Sequence, residues 1–573
     1  MAYVTDYGIT GIDAILPCLF ALGCVVIWNT LKGILSGVYS KKDYWCAVPV
    51  SVVVSIAQVI GHLVDMDSKS VGNIGLFDVV CIPILLIFYM AVMLLLLGYI
   101  KSRTSDGRSA RQRIDRHLFN RKYSYIVLVL IIILCYMPYY LTLFPGNMGK
   151  DTFESIDMCL NNIAWSNHHP VFYTLLMDAV IGLTSKVCSL TVSMGLFTLL
   201  QMILCACTYA YVVQRISAHI GDVWAILALL LYALHPVSAM FAMYLSKDVL
   251  FSCALVMLIC AMWDVLVKES VRGWIRVDVF LLLTMLLRNN GIFIVVLLGI
   301  VLFIVFLKGS IKKSAKCGVH FMAAVAVFAL FRLVTGAILD VNSSSFAESL
   351  SVPLQQVGYV IVNDGDSIAE ADAEYLSRLM PFEDVERAFT LGYTDTYKFD
   401  AAFDDEYLNA DKGAFMKTWV HMLPTHFDEY VKAYLAQTIG YWHYGETNTL
   451  CTEGVWEDNT VQVAGIDIIE KMTGVSFRTV ISKLMLGMRK APILCIFTSM
   501  AMQLYALIIY MSISVWMGNG KKEIICSLPL LLLWITVMIA APASCLFRYM
   551  YPFFMMWPFI ATLGTKGIFV KNE

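Results

Sequence analysis

Residues 101–144 read KSRTSDGRSARQRIDRHLFNRKYSYIVLVLIIILCYMPYYLTLF. Eight Lys or Arg against two Asp fill the first half, and no charged residue follows from Ser124 to Phe144. An uncharged apolar run of ~20 residues, as a helix, crosses the ~30 Å hydrocarbon core of a bilayer. A basic loop beside such a run marks the cytoplasmic side. The junction therefore sets both a span and a direction, from the cytoplasm near Tyr123 to the outer face near Phe144. The basic run reads as a solvated loop beside anionic lipid, and no nucleic-acid partner is expected.

Similar apolar runs lie on either side. Before it are Ile12–Leu31, Trp45–Val64 and Leu76–Ile100; after it are Thr191–Val213, Val223–Tyr244, Val249–Val267, Cys317–Ile338, Ala491–Trp516, Glu523–Ala541 and Phe547–Gly564. Hydrophobic residues make up 59% of the 573 and charged ones 15%, too few to cover a soluble protein of this size. The runs are continuous, not alternating, which excludes a β-barrel. Nearly all of the sixteen cysteines sit inside apolar runs and act as small hydrophobes, with neither zinc spacing nor a disulfide framework. Met1–Asp13 lacks a basic n-region, so the first span is expected to be retained. The expected fold class is an all-α polytopic membrane protein of about 13 transmembrane helices.

Charge parity shapes the middle of the chain. The segments at 268–276, 308–316 and 518–523 and the tail from Lys566 are net basic and belong inside. With the 145–169 loop outside, Pro170–Lys186 must then be interfacial or re-entrant. Val277–Leu307 must be two short helices turning at Arg288-Asn289-Asn290-Gly291, since a single 31-residue helix would measure about 46 Å. The alternative keeps Pro170–Lys186 as a span and Val277–Leu307 as one tilted helix, leaving Lys268, Arg272 and Arg276 outside. Residues 340–490 hold 24 Asp or Glu and 11 Lys or Arg, a local net of -13, and are expected to form an extracytoplasmic, mainly helical domain. The expected partition is 1–123, an N-terminal three-span extension with the basic loop; 124–339, a core; 340–490, the acidic domain; and 491–573, three final spans.

Four polar motifs fall on the face expected to be outside. In FPGNMGKDTFESI, Asp151 heads a short helix on which Glu154 and Asp157 share its face. A carboxylate there suits a general base for a hydroxyl, or a ligand for a divalent cation, Mg or Mn, beside a phosphate; it equally suits a helix cap. His168-His169-Pro170 opens the next helix and offers proton transfer, phosphate contact or an interfacial anchor. Lys247-Asp248 joins two spans and reads either as a phosphate contact with an orienting acid or as a self-neutralising pair. Arg288 reads as a phosphate clamp, its fork matching that geometry, with Asn289 and Asn290 beside it; Arg548 in CLFRYMYPF is a weaker case. Trp419, Trp442, His443 and Tyr444 suit either sugar stacking or an interfacial belt.

The order of these motifs, an outer-loop Asp, then HHP, then Lys-Asp, then LRNNG, resembles the GT-C class of integral-membrane glycosyltransferases. It is more closely similar to a poorly characterised bacterial group, the DUF6020 family, over about Tyr125 to Leu307. The resemblance implies a GT-C-like bundle with an interfacial helix in the first outer loop. It implies transfer of a sugar from a polyprenyl-phosphate donor to a cell-envelope glycan, lipid or protein acceptor on the outer face of the cell membrane. By family logic Asp151 is the base, His168 or His169 assists, and Glu154, Lys247, Asp248, Arg288, Asn289 and Asn290 bind substrate. This sequence has a single Asp where a DxD pair would argue for a metal, so no cofactor is certain. Two rivals stand beside this reading: a transporter or flippase of a lipid-linked saccharide, and a non-catalytic assembly protein presenting the acidic domain.

Overall fold

The computed structural model describes residues 15–66, 70–105, 119, 123–444, 480, 483–484, 487, 497–518, 520–540 and 543–563. Most of the basic loop, the 445–479 part of the acidic block and the outer ends of the first and eleventh expected spans lie outside these residues. The chain opens with α1 (Ile15–Leu35), α2 (Lys41–His62) and α3 (Leu76–Ser105), the last two joined by an antiparallel hairpin of β1 (Val64–Asp65) and β2 (Ser70–Val71). Then come α4 (Ser124–Thr142), β3 (Asn147–Met148), α5 (Lys150–Cys159), α6 (Val171–Thr184), α7 (Leu190–Ile220), α8 (Asp222–Leu234) and α9 (Pro236–Met243). β4 (Tyr244–Leu245), α10 (Lys247–Val267), α11 (Val271–Leu287), α12 (Gly291–Leu307) and α13 (Ile311–Leu339) complete the core.

Eight described helices are long and apolar enough to cross a membrane, or nine if α8 and α9 count as one span bent by 54°. This is a multi-pass, all-α membrane protein. The bend corrects the expectation of an unbroken Val223–Tyr244 helix. Pro236 has no N–H and pushes His235 into an extended conformation (φ -73°, ψ 124°), so the helix stops and restarts there.

The expected break at Arg288–Asn290 is present, and it is a reversal. Trp274 near the start of α11 stacks on His320 near the start of α13, ring centroids 4.3 Å apart. Ser314 of α13 donates to the Phe303 carbonyl near the end of α12 at 2.7 Å. The start of α11 and the end of α12 thus share one side, and the turn lies on the other. The turn needs Gly291, since a Cβ there would sit 2.0 Å from the Thr284 carbonyl oxygen.

Between α4 and α7 the chain does not cross. Tyr140 in the last turn of α4 donates to the Gly195 carbonyl in the second turn of α7 at 2.9 Å, so those two ends are neighbours. The helices between them span only about 15 Å and about 21 Å at 1.5 Å per residue. The tilted single-helix alternative is therefore set aside.

Two large cores and one small one organise the described residues. The bundle core gathers Tyr136, Tyr209, Tyr232, Phe241 and Tyr551. Lipid gives helices no hydrophobic reason to associate, so interhelical hydrogen bonds matter: Tyr136 donates to the Tyr232 carbonyl at 2.7 Å, and Tyr232 to the Met555 carbonyl at 2.5 Å. The second core belongs to α14 (Ser351–Asp364), α15 (Glu370–Leu379), α16 (Phe382–Ala388), α17 (Asp395–Lys398), α18 (Asp405–Ala410), α19 (Lys412–Met422) and α20 (Phe427–Thr438). Leu354, Val360, Phe389, Phe415 and Tyr430 pack there with Val64 and Val71 of the hairpin. The final helices are α21 (Met500–Met517), α22 (Lys521–Ile539) and α23 (Phe547–Leu563). Val50 of α2, Leu94 of α3 and Tyr505 of α21 form a third, small cluster, so the N-terminal helices rest on the C-terminal ones.

Candidate functional site

Two loops are fastened together before any side chain meets. β3 pairs with β4 in parallel, Asn147 with Tyr244 and Met148 with Leu245. Thr152 donates to the Leu245 carbonyl at 2.5 Å, and the Gln201 amide donates to the carbonyls of Ala242 (3.1 Å) and Tyr244 (2.7 Å). Gly146, at φ +141°, lets the first loop lie this close, since a Cβ would stand 2.5 Å from the Thr198 hydroxyl. Asp151 in the first turn of α5 and Lys247 and Asp248 in the first turn of α10 are thereby fixed by backbone.

A cavity of about 1300 Å³ opens over this junction. Asp151, Glu154, His168, His169, Lys247, Asp248, Arg288, Asn289 and Asn290 all line it. Each was singled out from sequence, and all nine converge. The far wall comes from the second core's domain, including Glu348, Tyr393, Asp395 and Lys398.

The floor is a continuous chain of acidic and basic side chains. Glu154 Oε2 lies 3.0 Å from His169 Nε2, and His169 Nδ1 lies 2.7 Å from Lys247 Nζ. Lys247 Nζ donates to Asp151 Oδ2 at 3.0 Å. Arg548 Nη1 stands 3.5 Å from the same oxygen and its Nε 3.6 Å from Asp248 Oδ2; Arg288 Nη1 is 3.3 Å from Asp248 Oδ1. Arg288 also lies over the Tyr549 ring, 4.2 Å from its centroid. Lys247 therefore pairs with Asp151 and not with its neighbour Asp248, which replaces the self-neutralising and orienting readings of that dipeptide. Arg288 Nη1, Arg548 Nε and Asp248 Oδ1 are buried and make no hydrogen bond, although their ion pairs are in place.

Burial would raise the Asp151 carboxyl, but Lys247 and then Arg548 outweigh it and hold it well below the ordinary carboxylate range. Burial would likewise raise Glu154, and the His169 bond lowers it. Burial first, then Lys247, push His169 below its ordinary value against the pull of Glu154. His169 is thus neutral near pH 7, with Nε2–H donating to Glu154 and the Nδ1 lone pair accepting from Lys247.

On the far wall Lys398 is buried between Asp395 (2.7 Å) and Glu348 (3.0 Å), which keep it charged against burial. Glu348 reaches His168 at 3.8 Å. Asn289 donates to the Asn167 carbonyl at 3.1 Å, tying the α11–α12 turn to the HHP loop.

Some expectations are corrected. Asp157 does not line the cavity; it accepts from Asn162 at 2.9 Å. Trp419 donates to Gln356 and stacks on Tyr430 within the domain. Trp442, His443 and Tyr444 are likewise absent from the cavity wall. Conversely Tyr244, Glu348, Asp395, Lys398 and Tyr549 were not signalled, and Arg548 ranks with Arg288 instead of below it.

Glu154, His168 and His169 each offer one ligand atom within 4.8 Å of the others. One carboxylate and two imidazoles do not match the oxygen shells that Mg and Mn favour, and Asp151 and Asp248 already face protein cations.

A family model matches residues 161–566, a family of unknown function designated DUF6020. The chain belongs to this family. The matched region holds His168, His169, Lys247, Asp248, Arg288 and Arg548, while Asp151 and Glu154 precede it. Searches of curated proteins and of solved structures give no match.

Proposed function

We propose that the protein is a GT-C-type membrane glycosyltransferase, moving a sugar from a polyprenyl-phosphate donor to a cell-envelope glycan, lipid or protein acceptor. One observation carries this reading: three cations, Lys247, Arg288 and Arg548, two of them with unfilled buried donors, meet a carboxylate base candidate in one cavity. Guanidinium forks suit phosphate oxygens. Asp151 takes the proton of the acceptor hydroxyl as its oxygen forms the new bond to the sugar's anomeric carbon. The anomeric carbon–oxygen bond to phosphate breaks, and the electron pair leaves with the phosphate, held by the three cations. These cations supply the charge that a metal would otherwise bring.

In this reading the cavity faces outward across the cell membrane, opposite the basic loops. In the same reading α1, the α11–α12 hairpin and α23 raise the segment count toward thirteen while α6 stays interfacial, and the acidic domain covers the site and selects the acceptor. A transporter would place its ionisable groups near the midplane, whereas these gather at one end of the helices. The test is transfer by purified protein from native membrane lipid extracts, read by mass spectrometry of new glycosides. Asp151→Asn should lower turnover ~10²–10⁴-fold, the usual loss of a general base; undiminished turnover removes Asp151 from the mechanism.

A further inference from the structure

As the floor stands, Asp151 is a poor base. Its Oδ2 is shared by Lys247 and Arg548, at 3.0 and 3.5 Å. A carboxylate held in two ion pairs has little tendency to accept a proton, which agrees with the direction found for it. Both cations have somewhere else to go. Lys247 is held from behind by the His169 Nδ1 lone pair at 2.7 Å, so it can leave Asp151 without being stranded. Arg548 already reaches Asp248 and has a buried, unbonded Nε, and the unbonded Nη1 of Arg288 lies against the other oxygen of the same carboxylate.

We propose that the donor's own phosphate arms the base: on binding it draws Lys247 and Arg548 off Asp151, and only then is the carboxylate free to take a proton. This rests on the glycosyltransferase reading and adds a rule of order, donor before deprotonation. Without a seated donor the hydroxyl of an acceptor or of water meets a carboxylate already neutralised. His169 is a positioning residue here. Glu154 fixes its tautomer, and it keeps Lys247 poised between two anions. The other groups facing Asp151 do not replace the lost cations: Tyr173, Tyr393 and Tyr244 are phenols and carry no positive charge, and the Tyr244 hydroxyl accepts from Arg548 at 3.1 Å.

The linkage has a sign. Anion binding that removes cations from Asp151 raises its proton affinity, so the bound state holds more protons at mildly acid pH. Anion affinity should then rise as pH falls. Sulfate and dimethyl phosphate do not titrate in this range and serve as probes, measured by calorimetry on full-length protein in detergent between about pH 4.5 and about pH 8. In the wild type both bind more tightly at lower pH. Asp151→Asn, with no competing charge, should bind both several-fold more tightly at pH 7 and lose most of the pH dependence, while Asp151→Glu keeps it. Wild-type binding that ignores pH overturns the proposal without any variant. A pH dependence that survives in Asp151→Asn belongs to another titrating group of the cavity and overturns it too. If neither probe binds and Arg288→Ala changes nothing, the phosphate site itself fails, and the glycosyltransferase reading falls with the rule of order. Probe binding that shows no link to Asp151 sinks the rule of order alone.

Discussion

Two charged clusters sit near the two ends of α10, about 24 Å apart along the helix at 1.5 Å per residue. At one end Asp264 receives Arg215 and Arg276, both at 2.9 Å, and Tyr211 closes the ring by donating to Asp264 at 3.1 Å while accepting from Arg276 at 2.8 Å. At the other end Asp248 meets Arg288 and Arg548 at 3.3 and 3.6 Å, with buried donors unused and a cavity alongside. The residue types are nearly the same. The first cluster has short contacts, reaches solvent and lines no part of the large cavity; the second has longer contacts, is more buried and lines the cavity. Two arginines on one aspartate therefore say little by themselves; unspent donors facing a cavity mark the end where a ligand belongs.

The sharpest way to break this contrast is to remove one arginine from each end. Arg288→Ala should cut transfer from lipid extracts about 100-fold or more, the scale of one lost transition-state donor. Arg215→Ala should leave transfer within about threefold; equal losses would dissolve the distinction. Stability should show the reverse ranking. Asp264→Ala leaves two cations facing each other and should cost about 1–3 kcal/mol, below the fully buried figure because both arginines reach solvent. The check is apparent melting temperature in detergent, where Arg288→Ala should move the midpoint less.

The smallest effect concerns pH. His169 is held below its ordinary 6.5, so the folded state prefers the neutral ring. Its contribution is complete above pH 6.5 and declines as pH falls toward its folded value. Glu154 and Asp151, held below 4.5 and 3.8, add losses of the same sign at lower pH. His169→Gln keeps an acceptor for Lys247 and a donor for Glu154 but cannot titrate. It should flatten the fall in melting temperature between pH 6.5 and about pH 5; an unchanged slope would place the titrating group elsewhere.

Much of this was legible in the chain. Apolar run length marks spans because a bilayer demands a fixed helix length, and loop charge marks direction. Together they required the α11–α12 reversal and the non-crossing α6, which brought Arg288 and His169 to Asp151. Pro236 was visible inside an apolar run, but length alone favoured one span and hid the bend. The far wall was not legible. Glu348, Asp395 and Lys398 lie in a block rich in charge, where three more charged residues carry no signal, and only packing against the bundle turns them inward. Arg548 reads as the weaker case because no second charged or amide residue adjoins it; its partners are about 300 and 400 positions upstream.

The two-residue parallel pairing of β3 with β4 also bears on how such a chain can be altered. Asn147 opposite Tyr244 and Met148 opposite Leu245 make a ratchet with a single tooth spacing. Slipping by one residue would shift the start of α5 against the start of α10 by about 3.3 Å and pull Asp151 out of reach of Lys247. For grafting, residues 145–152 and 243–248 therefore form one cassette. Transplanted together they would also need Thr198 and Gln201 of α7, which bond the Pro145, Ala242 and Tyr244 carbonyls; transplanted singly, either would arrive without its gauge.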